Sequence, residues 1–272
     1  MNRPFQTPAQ ASSLLSIRSD NGLLFITMTA PPANMLSLEL IEALIATLKQ
    51  ARSDEAVRVI LIGAQGRIYS AGHDLKELKA HREDADGGRA FLEHLFRRCS
   101  DLMKLVVRVP KPVIAVVGGV ATAAGCQLVA SCDLAVASER AGFCTPGVNI
   151  GGFCSTPMVA LSRNIARKHA MEMLLTGENI DAMTALRFGL VNQVVKPDEL
   201  EQTAIELAMR IAEKSPTAML IGKSGFYAQA EMRLAEAYDF ANEIMVEGFL
   251  SPDADEGVQA FIDKRKPNWK RD

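Results

Sequence analysis

The sequence predicts an α/β fold, and three observations carry that expectation. Short apolar runs of strand length alternate with segments of helical periodicity as far as residue 197. From Asp198 onward the strand-like runs stop and amphipathic helical stretches remain. The chain has 272 residues, 48% of them hydrophobic, enough to bury a full core in one large domain or in a domain with an appendage. Strands separated by helix-length segments need crossover connections, which is the α/β arrangement. The expected division is a core domain over residues 1–197 and a helical C-terminal segment over residues 198–272.

Residues 23–29 and 57–63 are runs of Leu, Ile and Val that end in turn residues, so both are expected to be buried strands. Between them Ser37 supplies an N-cap oxygen and Glu39 places charge in the first turn, while Leu38, Ile41, Ile45 and Leu48 recur on one helical face. The order then repeats. A strand over 68–70 precedes a long helix over 89–107, and a strand over 112–117 closes in Gly118-Gly119. A short apolar helix follows from about Ala124, then a strand over 134–137, helices to about Phe188 and a last strand over 190–195. Beyond it, 200–214 and 217–249 read as helices whose composition does not say whether they pack on their own core or on another subunit.

Charge and cysteine usage narrow the partners and the compartment. The net charge of −2 and the spread of Lys and Arg along the chain give no basic footprint for nucleic acid. No apolar run approaches the ~20 residues of a membrane helix. The segment from Met1 to Ser13 is polar with a single Arg, unlike a signal or transit peptide. Five cysteines form an odd set without a C-x-x-C pair, which argues against a disulfide framework or a zinc knuckle, and a reducing cytoplasm is expected. His81, His94 and His169 have no ligand spacing, so no metal is expected.

Two loops can carry chemistry, because each joins a buried strand to small residues and then to a helix, leaving main-chain N–H groups free. In the first, over 69–76, Gly72 permits a positive φ, and the amides after it can point into a cleft. In the second, over 118–127, Ala and Gly let a ligand approach a helix start whose unpaired N–H groups favour negative charge. Two converging amides make an oxyanion hole. A dinucleotide site is excluded: Gly118-Gly119 follows a strand, but the G-x-G-x-x-G spacing is absent.

An ordered set of motifs extends from these loops through the chain. It comprises Ala71-Gly72-His73-Asp74-Leu75-Lys76-Glu77, the glycine turn and helix start within 113–127, and Ser131-Cys132-Asp133-Leu134-Ala135-Val136-Ala137-Ser138. Leu175-Thr176-Gly177-Glu178, Gly189-Leu190-Val191-Asn192, and Phe261 with Lys264-Arg265-Lys266-Pro267 complete it. Together they resemble the crotonase superfamily, the enoyl-CoA hydratase/isomerase family, and within it the enoyl-CoA hydratase domain-containing proteins. The resemblance implies a crotonase (ClpP-like) spiral core of repeated β-β-α units. It also implies a C-terminal helical segment that builds a homotrimer or a dimer of trimers.

The resemblance further implies an enzyme of lyase type in fatty-acid metabolism, holding the enolate of an acyl-CoA thioester, with the thioester as substrate and no other cofactor. The oxyanion donors would be the N–H groups of His73 and Ala124. Ala71, His73, Asp74, Leu75 and Lys76 would line the CoA side, joined by Phe261 and Lys264, often across a subunit boundary. The two glutamates that family hydratases use fall at Gln127 and Gly147, neither of which can exchange a proton near neutral pH, so efficient hydration is not expected.

Other readings remain open at this point. The His73 loop and Val148-Asn149-Ile150-Gly151 resemble the methylmalonyl-CoA decarboxylase branch, where loss of CO2 yields the enolate with little general-base chemistry. A third reading is an acyl-CoA-binding or regulatory protein that kept the pocket and lost the chemistry. Ser155 falls where some isomerases of the family place an acid, although a serine without a base more often caps a helix. Cys126, Cys144 and Cys154 flank the expected pocket as small hydrophobes, with no cation placed to activate them. Asp74 and Glu77 are expected to serve the helix dipole or a surface ion pair.

Overall fold

The computed structural model describes residues 14–269, so the segment from Met1 to Ser13 lies outside the described residues, as do residues 270–272. The first element is a hairpin: β1 (Leu15–Asp20) pairs antiparallel with β2 (Leu23–Met28). Asn21 and Gly22 form its two-residue turn with φ of 48° and 81°, the conformation that Asn-Gly favours between twisted strands. β1 was not expected from the sequence, because one face lies open and its apolar alternation is short. The Asn-Gly pair was the usable signal.

Helix α1 (Leu38–Ser53) starts as expected, with the Ser37 side chain accepting the Leu40 N–H at 3.2 Å. It buries Leu40, Ile41, Leu44, Ile45 and Leu48, each of a size that contributes about 1.5–3 kcal/mol on full burial. Next come β3 (Val59–Ala64), β4 (Ile68–Ser70), α2 (Leu75–Ala80) and α3 (Arg89–Arg108). They are followed by β5 (Val113–Val117), β6 (Val120–Thr122), α4 (Ala124–Ser131), β7 (Leu134–Ser138) and β8 (Gly142–Cys144). The core closes with α5 (Pro157–Asn164), α6 (Arg167–Thr176), β9 (Ile180–Asp181), α7 (Ala182–Phe188) and β10 (Gln193–Val195).

The strands form two sheets, a large one ordered β1-β2-β3-β5-β7-β10 and a small one ordered β4-β6-β8-β9. Apart from the antiparallel β1–β2 and β8–β9 pairs, the ladders are parallel. β3, β5 and β7 lie in the large sheet, and each hands the chain to its successor β4, β6 or β8 in the small one before a helix returns it. This is the spiral of β-β-α turns. β6 and β8, three residues each, were missed by the sequence reading because runs this short carry too little periodicity.

The large sheet is covered on both faces. Ile60 and Ile62 of β3 enter the main core with α1, while Val59 and Leu61 join Ile114, Val136 and two alanines, Ala204 and Ala208, of α8 (Leu200–Ala212). Burial on both faces explains why β3 reads as a continuous apolar run.

After α8 the chain is helical: α9 (Pro216–Gln229), α10 (Leu234–Phe249) and α11 (Pro252–Ile262). The stretch expected as one helix over 217–249 is thus two, reversing so that α10 packs back on α9. Gly225 makes the close approach possible, since a β-carbon there would stand 2.3 Å from Ile244 Cδ1. A buried polar cluster fixes α9 to the core. Lys223 Nζ donates to Asp133 Oδ2 at 2.7 Å and to the Val106 and Lys111 carbonyls at 3.0 Å, using all three of its protons. Tyr227 donates to the other Asp133 oxygen at 2.9 Å.

Candidate functional site

The parallel pairing of β4 with β6 puts the two small-residue loops side by side, one leading from β4 into α2 and the other from β6 into α4. They touch through glycines. A β-carbon on Gly72 would lie 2.9 Å from Ala123 Cβ and 3.2 Å from the Ala124 nitrogen, and one on Gly125 would lie 2.5 Å from the Ser70 carbonyl oxygen. Gly72 takes the expected positive φ, 79°. The first loop is strung on the segment before α1: Ala71 N–H donates to the Ala33 carbonyl at 3.0 Å and Leu36 N–H to the Gly72 carbonyl at 2.8 Å. The second is strung on β8 through Ala123 N–H to the Cys144 carbonyl at 2.9 Å.

Ala123 has φ 50° and ψ −117°, a conformation that is strained for any residue with a β-carbon. It turns the chain from β6 into α4 and leaves the Ala124 N–H in the first turn of a helix, where amides lack internal acceptors. Among the described residues neither the Ala124 nor the His73 N–H has a hydrogen-bond partner. Two unpaired main-chain donors therefore flank the contact between the loops.

Three buried side-chain polar atoms lack partners among the described residues: His73 Nε2, Glu77 Oε2 and Gln127 Oε1. All three belong to these loops and the helices they open. Unpaired buried groups are few in folded proteins, and their concentration here marks a place for a ligand or ordered water. The His73 ring lies 3.0 Å, through Nδ1, from the Leu36 carbonyl. A carbonyl only accepts, so Nδ1 carries the proton and Nε2 presents a lone pair in the neutral ring. Burial pushes the imidazole pKa below its ordinary 6.5, against the pull of the Leu36 bond. Phe96 flanks the ring at 5.4 Å.

Gln127 is 4% exposed and lies one turn beyond Ala124 on the same side of α4. Glu77 is partly buried, and that burial raises its carboxyl pKa, with the Leu38 N–H acting in the opposite direction. The sequence had suggested a helix-dipole or surface role for it, and its neighbour Asp74 does cap α2, accepting the Lys76 N–H at 2.8 Å. Leu75 and Lys76 are exposed at the start of α2.

Gly147 sits in a short 3₁₀ turn, Pro146–Ile150, and a β-carbon on it would stand 3.0 Å from Cys154 Sγ. Burial raises the Cys126, Cys144 and Cys154 thiols, which keeps them protonated. The exposed Ser155 hydroxyl donates to the Phe153 carbonyl at 3.3 Å. Phe261, 85% exposed, belongs to α11, and Lys264 follows that helix. No hydrogen bond or ring contact ties either to the two loops among the described residues. Nothing in the sequence signalled the Leu36 carbonyl, which meets His73 from a segment distant in the chain, or Cys154 against Gly147, a contact closed by the fold of the short loop between them.

Comparison with known proteins supplies the relationship. Residues 18–272 match the family model described as enoyl-CoA hydratase/isomerase. The chain is 44% identical to the enoyl-CoA hydratase domain-containing protein 3, mitochondrial, of Rattus norvegicus, over 96% of this chain and 86% of that protein. It is 35% identical to a probable enoyl-CoA hydratase of Bacillus subtilis, over 94% of this chain and 98% of that one. The crystal structure of human enoyl coenzyme A hydratase domain-containing protein 3 superposes with a TM-score of 0.89 at 44% identity, covering 94% of this chain and all of that one.

These names overturn the cytoplasmic location expected above, because the rat relative and four further vertebrate relatives are named mitochondrial. The physical reason is plain. Free cysteines report a reducing compartment and do not distinguish one reducing compartment from another.

Proposed function

The chain belongs to the enoyl-CoA hydratase/isomerase family, and we propose that it binds an acyl-CoA thioester and holds the enolate form of that thioester in acyl-CoA metabolism. One observation carries this reading: the unpartnered N–H groups of His73 and Ala124 flank the contact between Gly72 and Ala123. A thioester carbonyl between them would gain two charge-assisted hydrogen bonds as negative charge builds on its oxygen, and removal of one such donor typically costs ~10²–10³ in rate. The Ala71 to Lys76 segment would border the CoA side, and the thioester is substrate with no further cofactor required. Residues 1–197 form the catalytic core in this reading and 198–272 the assembly segment.

Hydration at a metabolic rate is not part of the proposal. Gln127 and Gly147 offer no carboxylate to deprotonate water, a role worth ~10²–10⁴. The C-terminal helices support a homotrimer or a dimer of trimers: α10 buries none of its residues and exposes Leu234, Tyr238, Met245, Val246 and Phe249. In such an assembly Phe261 and Lys264 would contact the CoA of a neighbouring site.

The test is incubation of the purified protein with butyryl-, enoyl-, 3-hydroxyacyl- and methylmalonyl-CoA in D2O, with products read by mass. Deuterium at the carbon next to the thioester carbonyl is expected where the enolate forms, the α-proton passing to the unprotonated His73 Nε2 and a solvent deuteron taking its place. CO2 release from methylmalonyl-CoA would assign the decarboxylase branch instead, and bound thioesters that gain no deuterium would leave a binding role without chemistry.

A further inference from the structure

Asn34 lies outside both loops, in the segment between β2 and α1, and is only 3% exposed. Each of its hydrogen-bonding groups has a partner. Side-chain Oδ1 accepts the Ala30 N–H at 2.9 Å, and Nδ2 donates to the Gln65 and Ile68 carbonyls at 3.0 and 2.8 Å. The main-chain N–H donates to the Ala30 carbonyl at 2.7 Å, and the main-chain carbonyl accepts the Ser70 hydroxyl at 2.8 Å. One acceptor and two donors on a short side chain, at a φ of 48°, suit asparagine; aspartate there would set an oxygen against two carbonyls.

Ser70 passes the constraint to the loops. Fully buried at the end of β4, its hydroxyl donates to Asn34 and accepts the Gly72 N–H at 3.3 Å. A β-carbon on Gly125 would lie 2.7 Å from Ser70 Cβ and 2.9 Å from Ser70 Oγ. The one side chain is thus held by Asn34, tied to the residue before the His73 amide and pressed against the residue after the Ala124 amide.

We infer that Asn34 is a positioning residue that acts through Ser70 to fix the separation of the His73 and Ala124 N–H groups, and with it the polarisation of a thioester carbonyl between them. The inference rests on the acyl-CoA reading of the site and adds what holds its two donors in place. Without the Ser70 hydroxyl, the Asn34 carbonyl and the Gly72 N–H both lose a partner in the interior, where an unpaired group is costly. Misplacement of a positioned group by about 1 Å can cost ~10² in rate from a residue far from the chemistry. The effect should fall on the carbonyl and leave affinity little changed, because Asn34 and Ser70 make their hydrogen bonds within the protein.

The experiment is isotope-edited infrared spectroscopy of butyryl-CoA carrying carbon-13 at the thioester carbonyl, bound to the full-length protein, to Ser70→Ala and to Asn34→Asp, with affinities from calorimetric titration. In wild type the carbonyl band should lie below its position in water. Ser70→Ala should return it most of the way at similar affinity, and α-deuterium incorporation should slow by about tenfold to a hundredfold. Asn34→Asp should shift the band in the same direction, and it takes the place of Ser70→Ala if that variant does not fold. A band that keeps its wild-type position in the variants would overturn the inference, as would lost affinity with the band unmoved. A wild-type band no lower than in water would remove the two-amide reading itself, an outcome distinct from a lowered band that the variants leave alone.

Discussion

The Cys154 thiol stands 3.0 Å from the point that a β-carbon on Gly147 would occupy, and the Cys154 nitrogen stands 3.1 Å from it. The loop between them is folded back by Gly152 N–H donating to the Gly147 carbonyl at 3.0 Å. A β-carbon at position 147 would therefore be tight against both the Cys154 thiol and the backbone beside it. The double variant Gln127→Glu/Gly147→Glu should hydrate crotonyl-CoA no faster than wild type, and adding Cys154→Ala should raise the rate at least tenfold, against the ~10²–10⁴ that each acid–base group can supply. A fast double variant would show that the loop yields without help.

Gly72 and Ala123 make an opposed pair of predictions. Gly72→Ala adds a β-carbon at φ 79° and 2.9 Å from Ala123 Cβ, so it should displace the amides proposed to hold the thioester oxygen and lower turnover by ~10²–10³. Ala123→Gly removes a β-carbon from a strained conformation that costs about 1–3 kcal/mol, and the gain outweighs the added freedom of the unfolded chain. Urea unfolding should show Ala123→Gly more stable by about 1 kcal/mol. A less stable Ala123→Gly would mean that the methyl packing outweighs the strain.

Folding stability should fall on the acid side of neutrality, partly through His73. Burial lowers its pKa from 6.5, so the unfolded chain takes up a proton that the folded protein resists. The His73 contribution is intact above the unfolded value and is lost as pH falls from there toward the folded one. Glu77, raised from 4.5 by burial, works the other way, favouring the folded state at low pH and losing that contribution as pH rises through its folded value. Unfolding midpoints at about pH 7.5 and about pH 5.5 should therefore differ more in wild type than in His73→Gln. An unchanged difference would place the acid sensitivity elsewhere.

Lys223 has a side chain only 7% exposed and three partners, so its removal takes the paired cation from Asp133, which keeps the Tyr227 hydroxyl and the Val113 N–H as donors. Lys223→Met should cost about 3–5 kcal/mol in urea unfolding, largely independent of salt because the pair is shielded from solvent. A loss below about 1 kcal/mol would reduce the pair to the standing of a surface ion pair.

The parts of this molecule that could be read from its sequence are those with local physical signals. Ser37 capping α1, the doubly buried run of β3, the positive φ at Gly72 and the start of α4 at Ala124 each follow from residue type and near neighbours. β6 and β8 escaped because three residues hold no period, and β1 because its outward face is polar while its Asn21-Gly22 turn went unread. The site was legible only as two loops. That they touch depends on parallel pairing of β4 with β6, a long-range event. The Leu36 contact that sets the His73 proton and the isolation of Gln127 Oε1 are likewise properties of the packed interior, while the seat of Cys154 against Gly147 is a local turn that no residue type announced.

The crossed glycines have a further consequence, for anyone who would move this site to another scaffold. Gly72 leans on Ala123 and Ala124, and Gly125 leans on Ser70, so each loop is the mould in which the other is cast. Neither half is a transplantable part. Residues 70–73 and 122–125 form one joint, to be grafted or redesigned together with the two strands that hold them in step.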